Sequence, residues 1–284
     1  MLYIINVDFC GIVYYYYCKT ERSFSMLPFE RFGPKDRESV QYVLFDIDDT
    51  ITTEGKVKPD AYNALWTLHD AGFYTVPVTG RPAGWCDSII RMWPVRAIIG
   101  ENGAFVYYMD GDNQVRRFEH PAVATGDYRA KLDLIKDAVL KKVPGSRVAK
   151  DQFSRIYDLA IDFNEDPPYL GLEAAERIRQ ICVEMGAIAK VSSIHVNTWF
   201  GSYDKLSMAL LFFEQVLGIT KPRNCTLFFG DSPNDEPMFG YFPYSCGVAN
   251  IKPFADSMNH LPTYVTQSES GAGFCEAIWH FMQV

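Results

Sequence analysis

Residues 43–55 read VLFDIDDTITTEG. An apolar, aromatic run (Tyr42 to Phe45) of the kind that fills a strand buried on both faces ends on three carboxylates within four positions, Asp46, Asp48 and Asp49. In open parallel sheets, ligand and catalytic groups collect beyond the carboxyl ends of the strands. A buried strand that terminates in acids therefore predicts an α/β fold whose chemistry lies along one sheet edge.

Outward from this stretch, strand-like and helix-like segments alternate, as in a parallel sheet flanked by helices. After the loop-like FGPKDRES (32–39), the segment KPDAYNALWTLHDAG (58–72) sets Ala61, Leu65 and Leu68 on one helical stripe, with Pro59 near its start and Gly72 past its end. FYTVPV (73–78) is a second strand leading into TGRP, followed by a helix over Ala83 to Met92, a strand at RAIIG (96–100) and the turn-like ENGA. The pattern then changes. AFVYYMDGDNQVRRFE (104–119) reads as two antiparallel strands around the turn DGDN. A helix over Tyr128 to Lys142, a strand in RIYDLAIDF, the break NEDPP, a helix over Leu172 to Met185 and one strand-like run IAKVSSIHVNTW (188–199) follow. The parallel pattern resumes with a helix at DKLSMALLFFEQVLG (204–218) and a strand at TLFFGD (226–231). The sequence thus predicts a discontinuous Rossmann-like core, residues 37–104 plus 198–284, with an α/β cap containing an antiparallel sheet inserted at 105–197. Residues 1–36 stand apart as an N-terminal extension.

With 284 residues, 48% hydrophobic and 22% charged, the chain is long enough for one large domain or two smaller ones around a substantial core. A formal net charge of -8 disfavours a nucleic-acid partner, which calls for a basic face. The densest basic stretch, Lys131 to Lys142, also carries Asp133 and Asp137 and reads as a solvated helix face. Seven scattered cysteines (Cys10, Cys18, Cys86, Cys182, Cys225, Cys246, Cys275) with no C-x-x-C spacing favour free thiols in a reducing cytoplasm over a disulfide or zinc framework. The apolar start MLYIINVDFCGIVYYYY lacks a basic leader, contains Asp8 and falls short of the ~20 residues of a membrane span. It reads as an extra strand or hairpin, or as an extension upstream of a start at Met26.

Three polar loops follow strands: DIDDT, TGRP and GDSPND. If those strands are neighbours, Asp46, Asp48, Asp231 and Asp235 converge, and four ionised carboxylates cannot share a pocket without a cation. A hard divalent ion, Mg2+, suits all-oxygen ligands and keeps waters that a phosphate can replace, whereas neither a His pair nor a thiolate cluster supports zinc or copper. Thr79, Arg81, Lys205 and loop amides are the candidates to receive an anionic substrate. Two acids one residue apart allow a division of labour: Asp46 attacks as a nucleophile while Asp48 protonates the leaving group and later activates water. Phosphoryl transfer uses such an arrangement.

DIDDT, VTGRP, a lysine opening the helix after the insertion and GDSPND together resemble the four ordered motifs of the haloacid dehalogenase superfamily, over residues 42–284. The placement of the α/β insertion is similar to the cap of subfamily IIB, which includes sucrose-phosphate, trehalose-phosphate and mannosyl-phosphoglycerate phosphatases as well as phosphomannomutase. The resemblance implies Asp46 as nucleophile and metal ligand, and Asp48 as general acid/base and as metal ligand through its backbone carbonyl. It further implies that Thr79 and Lys205 hold the transferring phosphoryl group, that Asp231 ligates Mg2+ and that Asp235 supports the site from behind. The second acid argues against dehalogenation, since a halide leaves without a proton. The expected activity is Mg2+-dependent hydrolysis of a small phosphomonoester, a sugar phosphate, through an aspartyl-phosphate intermediate. A phosphomutase, a non-catalytic phosphoester-binding module and a protein phosphatase are the alternatives; the intact nucleophile and acid pair argues against the second, and an inserted domain that roofs the cleft argues against the third.

The remaining residues have double readings. Arg81 contacts phosphate or pairs with a carboxylate of the site. Asn102 faces the cleft or serves an Asn-Gly turn. His195, Asn197 and Trp199 alternate along a strand and share one face, which either reads the leaving group or packs within the cap. Trp85, Cys86 and Trp93 are expected to pack around their own helix, with no chemistry at Cys86.

Overall fold

The computed structural model describes residues 5–7, 13–15, 26–123, 126 and 128–283. Of the N-terminal extension, the strands Ile5–Val7 and Val13–Tyr15 pair antiparallel. Cys10, Cys18 and most of the apolar start lie outside the described residues.

A six-stranded sheet forms the core, in the order Leu27–Pro28, Tyr264–Val265, Tyr244–Gly247, Thr226–Gly230, Tyr42–Phe45, Tyr74–Pro77, every neighbouring pair parallel. Strand alternation separates the side chains of the central strand. Val43 and Phe45 pack with Phe229, Phe274 and the helices Pro59–Asp70, Ala83–Met92 and Ser270–Gln283. Leu44 enters a second cluster with Val76, Phe228 and Phe212 on the opposite face. Phe45 is fully buried against Phe274, ring centroids 5.4 Å apart, and burial of a ring of this size is worth roughly 1.5–3 kcal/mol. Apolar side chains on both faces are why the run reads as continuous hydrophobicity rather than as alternation.

Beyond Tyr74–Pro77, Val78 bridges Ile99 in parallel and brings Ala97–Gly100 alongside. That strand pairs antiparallel with Phe105–Met109, which pairs with Val115–Glu119. The hairpin that the sequence assigned to the insert therefore extends the core sheet, and Val106 is buried in the same cluster as Leu44 and Phe228. Turn chemistry and alternation identify a hairpin but not the sheet it joins, which is why 105–119 was misplaced.

The inserted sheet has the order Arg147–Val148, Leu159–Asp162, His195–Trp199, Ile188–Val191, all antiparallel. The run 188–199 is two strands, not one: Ser192 donates its N–H to His195 O at 2.9 Å and closes a turn. The helices Tyr128–Lys142 and Gly171–Glu184 cover one face through Leu132, Ile135, Ile178 and Ile181, against Leu159, Ile161 and Val196. The other face, bearing His195 and Asn197, turns towards the core: Asn197 Nδ2 reaches Gly80 O at 3.4 Å. No helix among the described residues is long and apolar enough to cross a membrane.

Candidate active site

Parallel register delivers the acid loops to one edge. Phe45 lies opposite Phe229 on one side and Pro77 on the other, so Asp46, Thr79 and Asp231 emerge as neighbours. Asp46 donates its N–H to Phe229 O at 2.9 Å, and Val78 donates to Phe45 O at 2.8 Å. The Asp46 side chain is fixed by its own turn, Oδ1 accepting the N–H of Ile47 at 2.7 Å.

Lys205 arrives from the first turn of the helix Lys205–Leu211, which continues into a π-helical turn, Phe212–Val216. A capping box sets that first turn: Asp204 Oδ1 accepts from Ser207 N at 2.7 Å, and Ser207 Oγ accepts from Asp204 N at 2.9 Å. Asp204 in turn packs on Gly103 (φ +107°), where an added Cβ would stand 2.1 Å from the Asp204 carbonyl oxygen. The ammonium lies between Asp46 Oδ2 at 2.9 Å and Asp235 Oδ1 at 2.7 Å. Asp235 Oδ2 folds back to accept the N–H groups of Asp231 at 3.1 Å and Ser232 at 3.4 Å. A side chain at Gly230 would meet that carboxylate at 2.4 Å, so this position needs glycine.

Carboxylate oxygens of Asp46, Asp231 and Asp235 come within 4.8 Å of one another, all buried. Among the described residues only Lys205 is bonded to this trio as a cation, and the deficit shows in the proton affinities. Burial pushes the Asp46 carboxyl up to about 7 against the pull of Lys205. Asp231 is driven well above the ordinary carboxylate range by burial, then by Asp46 and Asp235. Burial works to lower Lys205, but Asp235 and Asp46 outweigh it and hold the ammonium above its usual value. Asp235 is already bonded to Lys205 and two amides, which suits a supporting role. Asp46 and Asp231 are the carboxylates left with lone pairs to give; Asp231 accepts only from Thr50 Oγ1 at 3.0 Å and distantly from Asn250 Nδ2 at 3.4 Å. An all-oxygen set short of positive charge fits a hard divalent cation such as Mg2+.

Asp48 points away from this trio to Arg81, which binds it twice: NH2 to Oδ1 at 2.7 Å and Nε to Oδ2 at 2.9 Å. The same guanidinium reaches two carboxylates of the inserted region through NH1, Glu165 at 3.0 Å and Asp151 at 3.3 Å. It lies 4.4 Å over the ring of Trp85, which is half-exposed instead of packed into its helix. Of its two readings, Arg81 takes the carboxylate pair in this structure. A cleft of about 580 Å³ opens here, lined by Asp48, Asp49, Thr52, Glu54, Arg81, Asn164, Glu165 and Tyr169 among others. Asp46, Thr79 and Lys205, all buried, are not part of that lining.

Thr79 is fully buried, its Oγ1 accepting the N–H of Arg81 at 3.0 Å. Asn102 has a left-handed backbone (φ 56°) and a buried side-chain amide with neither atom hydrogen-bonded, next to Gly80 and Asn197. His195 and Asn197 are also buried and do not line the cleft. His195 Nε2 pairs with Glu165 Oε2 at 2.9 Å, and Asn197 Nδ2 donates to Asp158 Oδ2 at 3.0 Å. Trp199 stacks on Tyr203. The thiol of Cys86 is buried and raised by burial, then by Glu101; the five cysteines described are all free.

Four residues of this region escaped the sequence reading: Glu101, Asp151, Arg155 and Glu165. Glu101 accepts four backbone N–H groups, from Ala83 in the core and Ile156, Tyr157 and Asp158 in the insert. Arg155 binds Asp151 and Asp158 and donates to Gly80 O at 2.8 Å. Glu165 had one signal, its place in NEDPP directly after a strand end.

Residues 43–124 match the family model of haloacid dehalogenase-like hydrolases. Solved structures with the same architecture include the C-terminal domain of a trehalose-6-phosphate phosphatase from C. albicans, 15% identical, covering 88% of this chain and 95% of that one at a TM-score of 0.66. Over residues 43–124 this chain is similar to that hydrolase family, and over most of its length it shares the fold of these solved structures. A sugar phosphatase of subclass IIB, 14% identical, matches over 86% of this chain and all of its own at a TM-score of 0.58. A phosphatase of the superfamily from Bacteroides thetaiotaomicron, 20% identical, matches over 86% and 96% at 0.58. At these identities the likeness to solved structures is one of fold.

Proposed function

We propose that the chain is a Mg2+-dependent phosphatase that hydrolyses a small phosphomonoester, a sugar phosphate, through an aspartyl-phosphate on Asp46. The observation that carries this reading is the placement of Asp46 at a strand end, 2.9 Å from the Lys205 ammonium and beside Asp231, with Asp48 two residues on at the cleft. Asp46 and Asp231, with the backbone carbonyl of Asp48, would hold the metal, and Asp235 would support them. When bound, Mg2+ neutralises charge on the trio and on the phosphoryl oxygens.

In the first half-reaction an Asp46 carboxylate oxygen bonds to phosphorus as the bond to the leaving alcohol oxygen breaks, and Asp48 gives that oxygen its proton. In the second, Asp48 takes a proton from water while the water oxygen bonds to phosphorus and the Asp46–phosphorus bond breaks. Phosphate leaves and both acids are restored. Lys205 and Thr79 hold the phosphoryl oxygens throughout. We assign residues 120–200 to the cap, whose loops at Asn164, Glu165 and Tyr169 face the leaving group from above Asp48. The carboxylates and Tyr169 of that cleft suit a polyol, which supports a sugar phosphate among phosphomonoesters. Phosphate release from a panel of phosphorylated sugars and other small phosphomonoesters, with Mg2+ and with EDTA, tests the reading. Metal-dependent release from a sugar phosphate is expected; no release from any compound would overturn it.

A further inference from the structure

Arg81 is occupied on three sides by carboxylates of two different regions, and the three are not equally held. Asp48 is bound twice by Arg81. Asp151 is shared with Arg155, which grips both its oxygens at 3.1–3.3 Å inside a buried cluster with Asp158. Glu165 is the most exposed of the three, its side chain 30% accessible, and takes only NH1 of Arg81 with one oxygen and His195 with the other. The His195 bond, ahead of Arg81, holds its carboxyl below the ordinary range, at about 2.

Asp48, Arg81 and Glu165 all line the cleft, whereas Asp46 is buried outside its lining. An entering anion therefore meets the Asp48–Arg81–Glu165 chain in the cleft wall. We infer that Glu165 is a positioning residue that occupies Arg81 in place of the substrate's phosphoryl group, so that substrate binding exchanges Glu165 for phosphate on the Arg81 guanidinium. The inference rests on the phosphatase reading for its substrate, but the exchange itself is a binding event. A phosphoryl dianion beside Arg81 repels the Glu165 carboxylate, the least enclosed of the arginine's partners, which withdraws towards His195. The partial release of Arg81 from Asp48 then leaves that acid free to face the leaving oxygen. Planar, bidentate guanidinium geometry suits carboxylate and phosphate alike, so one partner can replace the other without moving the arginine backbone.

The Glu165→Gln variant keeps the shape and removes the competing charge. With Mg2+ present, the dissociation constant of inorganic phosphate is read by equilibrium titration, and KM and kcat are read on whichever phosphomonoester is turned over. In Glu165→Gln, phosphate binding is expected to tighten and KM to fall by roughly two- to fivefold, the upper range of one partly exposed ion pair, with kcat changed far less. Because Trp85 stacks under Arg81, its fluorescence is expected to change on phosphate binding and to lose that response in Trp85→Phe. Unchanged or weaker phosphate binding in Glu165→Gln, or no phosphate binding by either protein, would overturn the exchange. If neither protein turns over a phosphomonoester while phosphate still binds more tightly to the variant, the exchange stands and the phosphatase reading fails.

Discussion

Glu101 offers the sharpest test of how the insert is held on the core. Its fully buried carboxylate satisfies four amides, Oε1 accepting from Ala83 at 3.1 Å and Ile156 at 2.8 Å, Oε2 from Tyr157 at 2.6 Å and Asp158 at 3.2 Å. In Glu101→Ala all four donors lose their partner in a buried seam. Orphaned donors cost about 1–3 kcal/mol each, so the gross loss is of order 4–12 kcal/mol. Two effects offset part of it: the desolvation of a buried charge is recovered, and repulsion from Asp158 disappears. A net loss of about 4 kcal/mol follows, which for a chain of this size lowers Tm by roughly 10 °C. Glu101→Gln is the informative companion. Its carbonyl can keep one pair of amides, but its NH2 then faces the other pair, donor against donor, so about half of the loss is expected despite near-identical shape. Thermal melts of the three proteins, with limited proteolysis at the 150–158 segment, measure this. A Tm within about 2 °C of the parent in Glu101→Ala, with no new cleavage, would refute the claim that this carboxylate clasps the two regions.

Asp46→Asn is expected to abolish phosphate release while leaving far-UV CD and the melting cooperativity intact; substantial residual turnover would remove Asp46 from the nucleophile role. The metal trio predicts a pH dependence of opposite sign to the usual carboxylate case. In EDTA, Asp46 at about 7 and Asp231 above the ordinary range hold protons in the folded chain that the unfolded chain has already released, so stability falls as pH rises from about 4 to about 7. For Asp46 alone, linkage gives about 2 kcal/mol between about pH 5.5 and 7.5, or roughly 4–8 °C in Tm. His120, which burial holds below its ordinary value, works in the opposite direction, so melts of Asp46→Asn serve as the reference. Mg2+ is expected to raise Tm more near pH 7.5 than near 5.5, because it replaces the protons; equal increments at both would contradict the assignment of the trio as its ligands.

What could be read from the sequence and what could not divides along chain distance. Asp46, Thr79 and Asp231 were legible because each lies directly after a strand whose apolar run marks its own end, and parallel neighbours bring their ends together whatever fills the intervening chain. Lys205 was singled out as a lysine opening the helix after the insertion, and the structure adds the cap of Asp204 and Ser207 that sets this helix start. The Arg81 partners were not: Asp151 and Glu165 lie 70 and 84 residues away, on loops whose position depends on how the insert seats. The same holds for Glu101, which spans 55 residues or more to its insert amides, and for the hairpin 105–119, whose sheet partner no local signal names.

The division has a mechanistic meaning. Residues proposed for bond-making come from strand and helix ends and are nearly sealed, with Asp46 bonded through both carboxylate oxygens and Lys205 through two carboxylates. The insert residues that line the cleft, Asn164, Glu165 and Tyr169, come from loops, and Glu165 meets the core at Arg81. Changing the length or charge of the insert loops around Asp151 and Glu165 therefore alters what reaches Arg81 without moving Asp46, Lys205 or Asp231. A fold arranged this way would change its substrate while its bond-making geometry stays fixed, because the insert reaches Asp48 through Arg81 and rests elsewhere on backbone, at Gly80 through Arg155 and Asn197 and across the Glu101 seam.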